Sequence, residues 1–502
     1  MNLKQMLERA AKRYAGKTVI VKGRRRMSYA ELDQASNRVA NALVGMEVKK
    51  GDRVALLLTN SPQFVAFYFG VVKIGAIAVL LDPKYKLTEL LSLCDDSQPK
   101  ILVTESPFLK PLVPVLDKFK SVERVIDLSP RVKKRFLNYK QIVAESPASA
   151  IAAEPAPGDI AHIAYSSGPS FHPRGVAMSH GALVKEASIS AEGFRQTEKD
   201  TVVLFALPMH HAFGLVVIMM TAISRGSTVA MLSGLAMENL FKLIEREKAT
   251  IFMGVPFVHG LVVEAIELVG IGHDISSLRL WGTAGAAMPP RIAQKVKEYI
   301  GLTPVNFWGL TESAAQVSCT ALDGSSPANS VGQTLPGWEL KIVDDAGNEL
   351  PPGERGEIIV RGPIMDEYYK SPEATARIIK DGWLYTGDIG WLDEAGWLFL
   401  ATNRKKDMLI NKGQNICPSD IEEIISRHPR VAEVAVVGVA DRSRGEIPRA
   451  FVVLKEGKKA TEPQIKKFCL KHLANYKVPR EVVFTDSLPR TADGRIDKER
   501  LR

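Results

Sequence analysis

Apolar residues return at helical spacing through residues 28 to 45, at Leu32, Val39 and Leu43, and then the period changes. Asp52-Arg-Val-Ala-Leu-Leu-Leu58 reads as a buried strand that stops at Thr59-Asn60-Ser-Pro62. A helical pattern resumes through Phe64, Phe67 and Val71, and Ala76 to Leu81 is the next strand, closed by Asp82-Pro83. The alternation continues with strands expected at 101–104, 124–128, 160–165, 202–206, 228–232, 251–255 and 278–282. Strands that alternate with helices predict α/β architecture with parallel-rich sheets, and near-continuous apolar strands such as Val54 to Leu58 are covered on both faces.

From about residue 330 the texture changes to short strands, Leu340 to Asp344, Gly356 to Arg361 and Gly396 to Leu400, joined by Gly/Pro/Asp turns. This predicts a small antiparallel, β-barrel-like unit. Beyond Asn403-Arg-Lys-Lys-Asp407 a small α+β module is expected: a helix at 418–427, strands at 431–439 and 449–454, and a helix at 463–473. The domain reading is therefore 1–404, with the β-rich unit at about 330–404, and 405–502. Residues 146 to 158, rich in Ala and Pro, read as a linker.

Composition changes little in this picture. With 502 residues, 46% hydrophobic and 24% charged, the chain has core enough for two or three domains. Its 66 basic against 56 acidic residues give +10, and residues 405 to 502 hold 21 basic and 14 acidic residues, a net +7. Such a tail suits a phosphate-rich small molecule; no zinc-finger spacing, RNA-binding aromatic signature or basic helix with heptads points to nucleic acid. Cys94, Cys319, Cys417 and Cys469 are far apart, which fits a reducing compartment. The N-terminus reads as an amphipathic helix, and the longest apolar run, Phe213 to Ile223, is shorter than the ~20 residues that span a bilayer. A cytoplasmic location is expected, with an oligomer possible.

Three stretches carry candidate chemistry. The strand at 160–165 feeds a loop in which Ser166, Ser167 and Ser170, the backbone around Gly168, and Arg174 can meet phosphate oxygens. It is not a P-loop, since no Gly-Lys-Ser/Thr closes it, and the same residues also suit an ordinary turn. Asn306-Phe-Trp-Gly-Leu-Thr-Glu312 sets an aromatic, a hydroxyl and a carboxylate in one loop, suited to a base, a phosphate and Mg²⁺. Tyr385-Thr-Gly-Asp388 offers an acceptor, and Arg404 a donor, for a ribose.

In order and spacing these stretches resemble the adenylate-forming enzymes, the superfamily of acyl-CoA synthetases, peptide-synthetase adenylation domains and firefly luciferase. The resemblance covers nearly the whole chain and is strongest to the acyl-CoA synthetase branch. Ser166 to Gly175 matches the family's phosphate loop, Gly285-Ala286-Ala-Met-Pro289 and Trp308-Gly-Leu-Thr-Glu312 its adenine-side signatures, and Thr386-Gly-Asp388 with Arg404 its ribose pair. His211 in Pro208-Met-His-His211 matches a pocket-gating histidine, Lys406 a hinge, and Pro489 to Ile496 a terminal loop. The resemblance implies an acid–CoA ligase that makes an acyl-adenylate from ATP and transfers the acyl group to coenzyme A. Glu312 would hold Mg²⁺, Thr311 a phosphate, Trp308 the adenine, and Arg495 the charge developing between carboxylate and α-phosphate. Lys412, Gly413 and Arg444 are candidate CoA contacts.

The sequence also departs from the family pattern. Arg174 and Arg495 replace lysines, and Pro169 and Phe171 stand where the family has a hydroxyl residue and a glycine. A planar guanidinium does not reproduce an ammonium, and Pro removes an N–H donor. These changes suit a slower or reverse-tuned enzyme, a nucleotide binder without efficient adenylation, or an altered loop that does the usual work; the presence of Thr311, Glu312, Asp388 and Arg404 together favours retained activity. The small apolar segments Phe213 to Met220 and Trp281 to Ala284 suit an apolar monocarboxylic acid. The alternatives are transfer to a carrier-protein thiol, or an impaired nucleotide- or acyl-CoA-binding homologue.

Overall fold

Ser28 opens the helix Tyr29–Gly45 through a reciprocal cap: its hydroxyl accepts from the Glu31 N–H, and the Glu31 carboxylate accepts from the Ser28 N–H. Asn2 and Gln5 cap the N-terminal helix Leu3–Arg13 in the same way, and its Leu3, Met6, Leu7 and Ala10 form the buried stripe that the sequence predicts. The computed structural model describes residues 1–129, 135–165, 174–232, 234, 236–404, 408–441, 444–490 and 496–501, with the side chains of 402–404 outside that description.

The chain divides into two compact units. One comprises Met1–Pro83, Ser97–Ala164 and Gly175–Lys405; the other Lys84–Asp96, Tyr165–Arg174 and Lys406–Arg502.

In the first unit, the strand that begins at Ile160, through Ala164, lies beside and parallel to Ile77–Leu80, which is followed by Arg53–Leu57, Ile101–Thr104 and Arg124–Asp127, all parallel. A second, larger sheet has a parallel core of Thr228–Leu232, Thr201–Phe205, Ile251–Gly254, Leu280–Thr283 and Val305–Trp308. All five of these core strands are nearly fully buried, as their continuous apolar character requires.

The barrel-like unit expected after residue 330 is corrected by this sheet. Ser318–Cys319 pairs antiparallel with Val305–Trp308, and Ser330–Thr334, Leu398–Arg404, Trp383–Leu392, Gly356–Arg361 and Glu339–Val343 follow in turn. The antiparallel strands therefore extend the parallel sheet. Its path ends at Glu339–Val343 on one side and at Arg25–Ser28 on the other, so among the described residues no barrel closes.

The second unit packs helices Pro418–Ser426 and Glu462–His472 on a sheet that contains Val431–Asp441, Gly445–Leu454 and Glu481–Phe484. Within this unit the ammonium of Lys477 lies 2.8 Å from both Glu89 Oε1 and Asp420 Oδ2, and all three side chains are at most 4% exposed. Burial works against the Lys477 charge, but Asp420 and Glu89 outweigh it and hold the ammonium protonated. Among the described residues no cysteine pair forms a disulfide, and no helix is long and apolar enough to cross a membrane.

Candidate active site

Parallel strands leave their carboxyl ends on one edge of a sheet, and the loops that leave that edge carry the candidate residues. His211 follows Thr201–Phe205, Gly285 and Ala286 follow Leu280–Thr283, and Thr311 and Glu312 follow Val305–Trp308, on strands of one sheet. Gly285 takes a left-handed conformation, φ 83°, at the turn off its strand. Asn306 is tied to the neighbouring antiparallel strands: its N–H donates to Thr320 Oγ1 at 2.7 Å and its amide to the Ser330 carbonyl at 3.4 Å.

Trp308 and Asp388, 80 residues apart, meet in the buried interior. The indole Nε1–H donates to Asp388 Oδ2 at 3.0 Å, and the two residues are 6% and 5% exposed. Locally, the Thr386 hydroxyl donates to the Ile358 carbonyl and accepts from the Asp388 N–H, while the Gly387 N–H donates to Glu357. This turn sits where the ladder between Trp383–Leu392 and Leu398–Arg404 shifts register, and Asp388 stands directly opposite Arg404.

Glu312 is 7% exposed, and its Oε1 accepts from the Tyr368 hydroxyl at 2.8 Å. Its backbone carbonyl accepts from Met365 N–H at 2.7 Å. The loop that holds it is close to its steric limit: a Cβ on Gly309 would lie 1.9 Å from the Ala315 carbonyl oxygen, and Ala314 and Ala315 have φ of 55° and 131°. A single buried carboxylate fits Mg²⁺, which binds proteins through one or two carboxylates and completes its shell with phosphate oxygens and water.

The turn that carries His211 leads into a widened helix, Phe213–Met220, which Thr221 braces by donating to the Val216 carbonyl. Residues Gly214 to Met220 are fully buried, so most of this segment is core, and Phe213, at its start, packs edge-on to Phe307 at 5.0 Å. Trp281, from the other apolar segment, is likewise buried and donates its indole N–H to His259 Nδ1 at 2.9 Å.

The "AMP-binding enzyme" family model matches residues 7–369, and the "AMP-binding enzyme C-terminal domain" model matches 420–495. The chain belongs to the AMP-binding enzyme family. It is 34% identical over 508 residues to an indoleacetate–CoA ligase of Aromatoleum aromaticum, covering all of this chain and 98% of that one. It is 31% identical over 531 residues to a long-chain-fatty-acid–CoA ligase of Bacillus subtilis, covering 99% and 94%. A solved structure of the o-succinylbenzoate CoA synthetase of Bacillus subtilis, bound with a product analogue, superposes with a TM-score of 0.88 at 28% identity, covering 99% and 97%.

Within this AMP-binding enzyme, Ser166, Ser167, Gly168, Pro169, Ser170 and Phe171 lie outside the described residues, as do Lys406, Arg495 and the Arg404 side chain. Arg174 is exposed at the start of strand Gly175–Ser179. In the second unit the Lys412 N–H donates to the Arg444 carbonyl at 2.8 Å, which brings two of the candidate CoA contacts together, with Gly413 beside them. Partial burial, and then the charges of Arg444, Arg480 and Lys84, hold the Lys412 pKa below its ordinary value.

Sequence reasoning missed Tyr368, Asn60 and Glu186. Tyr368 holds Glu312; Asn60 holds the turn before His211, its Oδ1 accepting from Met209 N–H at 2.8 Å and its Nδ2 donating to the Leu207 carbonyl at 2.7 Å. Glu186 is fully buried, accepts from Trp338 Nε1 at 3.0 Å and from Gln316 N–H at 3.2 Å, and is pushed well above the usual carboxylate range by burial. The partners are 56, 149 and 130 residues away, and no local spacing signals them.

Proposed function

We infer that the chain is an AMP-forming acid–CoA ligase and that its substrate is an apolar monocarboxylic acid. What supports this most is the match along the whole chain to CoA ligases at 31% and 34% identity. The two are named for a long-chain fatty acid and for indoleacetate, which share a carboxylate on an apolar body.

The chemistry has two halves. The substrate carboxylate attacks the α-phosphorus of ATP, the bond to the bridging oxygen breaks, and pyrophosphate leaves an acyl-adenylate. The CoA thiolate then attacks the acyl carbon, and AMP leaves with the carbon–oxygen electron pair. Carboxylates are weak nucleophiles and the first attack joins two anions, so in-line positioning and charge neutralisation are what the protein must supply.

The roles are those that the resemblance to the adenylate-forming enzymes implies, and the residue chemistry suits them. Asp388, its carboxylate oriented by Trp308, accepts from the ribose hydroxyls, and Arg404 opposite it donates. Trp308, with Gly285, Ala286 and Asn306, forms the adenine side. Thr311, with the loop of Ser166, Ser167, Gly168, Ser170 and Arg174, holds the phosphates, and Arg495 meets the charge that develops on the α-phosphate. Glu312, steadied by Tyr368, would hold Mg²⁺, which when bound neutralises phosphate charge. His211 and Phe213 border the acyl group, and Lys406 is the hinge. Lys412, Gly413 and Arg444 take the CoA phosphates, a reading favoured by the crowding of like charges around Lys412. Four cysteines without a disulfide among the described residues favour a reducing compartment such as the cytoplasm.

The decisive experiment is ATP–pyrophosphate exchange over a panel of carboxylic acids, followed by mass spectrometry of the product with free CoA. Exchange with apolar acids and an acyl-CoA product are expected. Exchange without acyl-CoA would turn the reading toward a carrier-protein thiol, and silence with every acid would end it.

A further inference from the structure

We propose that Asp82, His210 and His211 form a binding site for a divalent transition-metal ion of the Zn²⁺ class, separate from the carboxylate of Glu312. Asp82 follows the strand Ile77–Leu80 and the two histidines follow Thr201–Phe205, so the carboxyl ends of one strand from each sheet supply the donors. One ligand atom from each residue lies within 4.8 Å of the other two. His210 Nε2 is 3.5 Å from Asp82 Oδ1, and the two imidazole rings are 4.6 Å apart at 49°.

The observation that asks for a ligand is His210. It is 9% exposed, and its Nε2 is buried with no hydrogen-bond partner among the described residues; 3.5 Å to the carboxylate is too long for a good bond. Buried imidazole nitrogens are nearly always satisfied, so such an atom needs an explanation. Two imidazoles and one carboxylate are the donor set of borderline d-block cations, with a fourth position left for water. Mg²⁺, which prefers oxygen donors, does not suit it.

The site is held in place before any ion arrives. Asn60 clamps the turn at Leu207 and Met209, and Gly214 packs so closely under it that a Cβ would lie 2.4 Å from the Pro208 carbonyl oxygen. Around a tetrahedral ion with bonds of about 2.1 Å the donors stand about 3.4 Å apart, so with all three ligand atoms within 4.8 Å of one another no pair has to close by more than about 1.4 Å.

An ion bound here ties His211 to Asp82. If His211 borders the acyl group, occupancy obstructs the carboxylic acid; that consequence rests on the proposed function, whereas metal binding does not. The test uses the untagged full chain, stripped with a chelator and titrated with CoCl₂ alone and with ZnCl₂ alone. One equivalent of cobalt with the intense visible absorption of a four-coordinate ion is expected, and Mg²⁺ at large excess does not displace it. Asp82→Asn and His210→Phe each weaken uptake at least tenfold; His210→Gln serves where the phenylalanine variant does not fold by circular dichroism. No saturable uptake, a six-coordinate cobalt spectrum, or uptake unchanged in folded Asp82 and His210 variants overturns the proposal. In the active enzyme Zn²⁺ raises the KM for the acid, and a chain that binds one cobalt but exchanges no pyrophosphate would sink the ligase reading alone.

Discussion

Trp308 gives its one donor to Asp388, and that bond decides what each residue can do. Trp308→Phe keeps the ring and removes the N–H, so a buried carboxylate loses a charge-assisted bond worth ~1.5–3 kcal/mol. A fall of about tenfold or more in kcat/KM for ATP is expected in pyrophosphate exchange, with the fold retained; an unchanged value would deny Asp388 its ribose role. The buried histidines report on acid instead. Burial holds His162 at about 3, and His180 and His259 at about 4, below the usual 6.5. His259 is locked neutral, since Nδ1 accepts from Trp281 while Nε2–H donates to the Gly254 carbonyl. The unfolded chain takes up protons below pH 6.5 and the folded chain does not, so stability is full above 6.5 and declines as pH falls toward about 4. Urea midpoints measured between these pH values should fall, and a His259→Gln variant should show a shallower slope; parallel slopes would remove His259 from the account.

The loop from Gly309 to Gln316 is the element on which the site is most sensitive. Its alanines sit at positive φ, and Gly309 has no room for a methyl group. Gly309→Ala should lower stability by ~2 kcal/mol or more and abolish exchange, because backbone has to move. Ala315→Gly should stabilise the fold by ~1 kcal/mol, since glycine relieves the strained φ; a loss of stability, measured by thermal unfolding, would show that the strain is absent. Elements themselves were legible. The helical spacing over 28 to 45, apolar runs such as 251–255, and turn residues after 330 are local signals, and the structure follows them. What the antiparallel strands pair with was not legible. A short strand such as Ser318–Cys319, two residues long, carries no pattern of its own, yet it joins the β-rich stretch to the parallel sheet and so prevents closure.

At the scale of the molecule, the second unit draws on three separate stretches of chain. Glu89 and Lys477 are 388 residues apart, and a lone Glu in an ordinary helical stretch gives no hint of such a partner. Removing Lys477 leaves two carboxylates buried beside each other, a change that typically costs ~3–5 kcal/mol. Lys477→Met should therefore speed amide hydrogen exchange in Leu87–Ser97 and in Pro418–Ser426 together; loss confined to one helix would show that the ion trio does not couple them. The same trio bears on whether this part of the protein can be transplanted. A fragment cut at residue 406 carries Lys477 and Asp420 but leaves Glu89 behind, along with the acceptor for the Ala474 N–H. Recombination at that boundary with a relative would thus succeed or fail on a residue more than three hundred positions upstream, so the natural seam for exchange is defined by ionic bookkeeping rather than by where the polypeptide crosses from one module to the next.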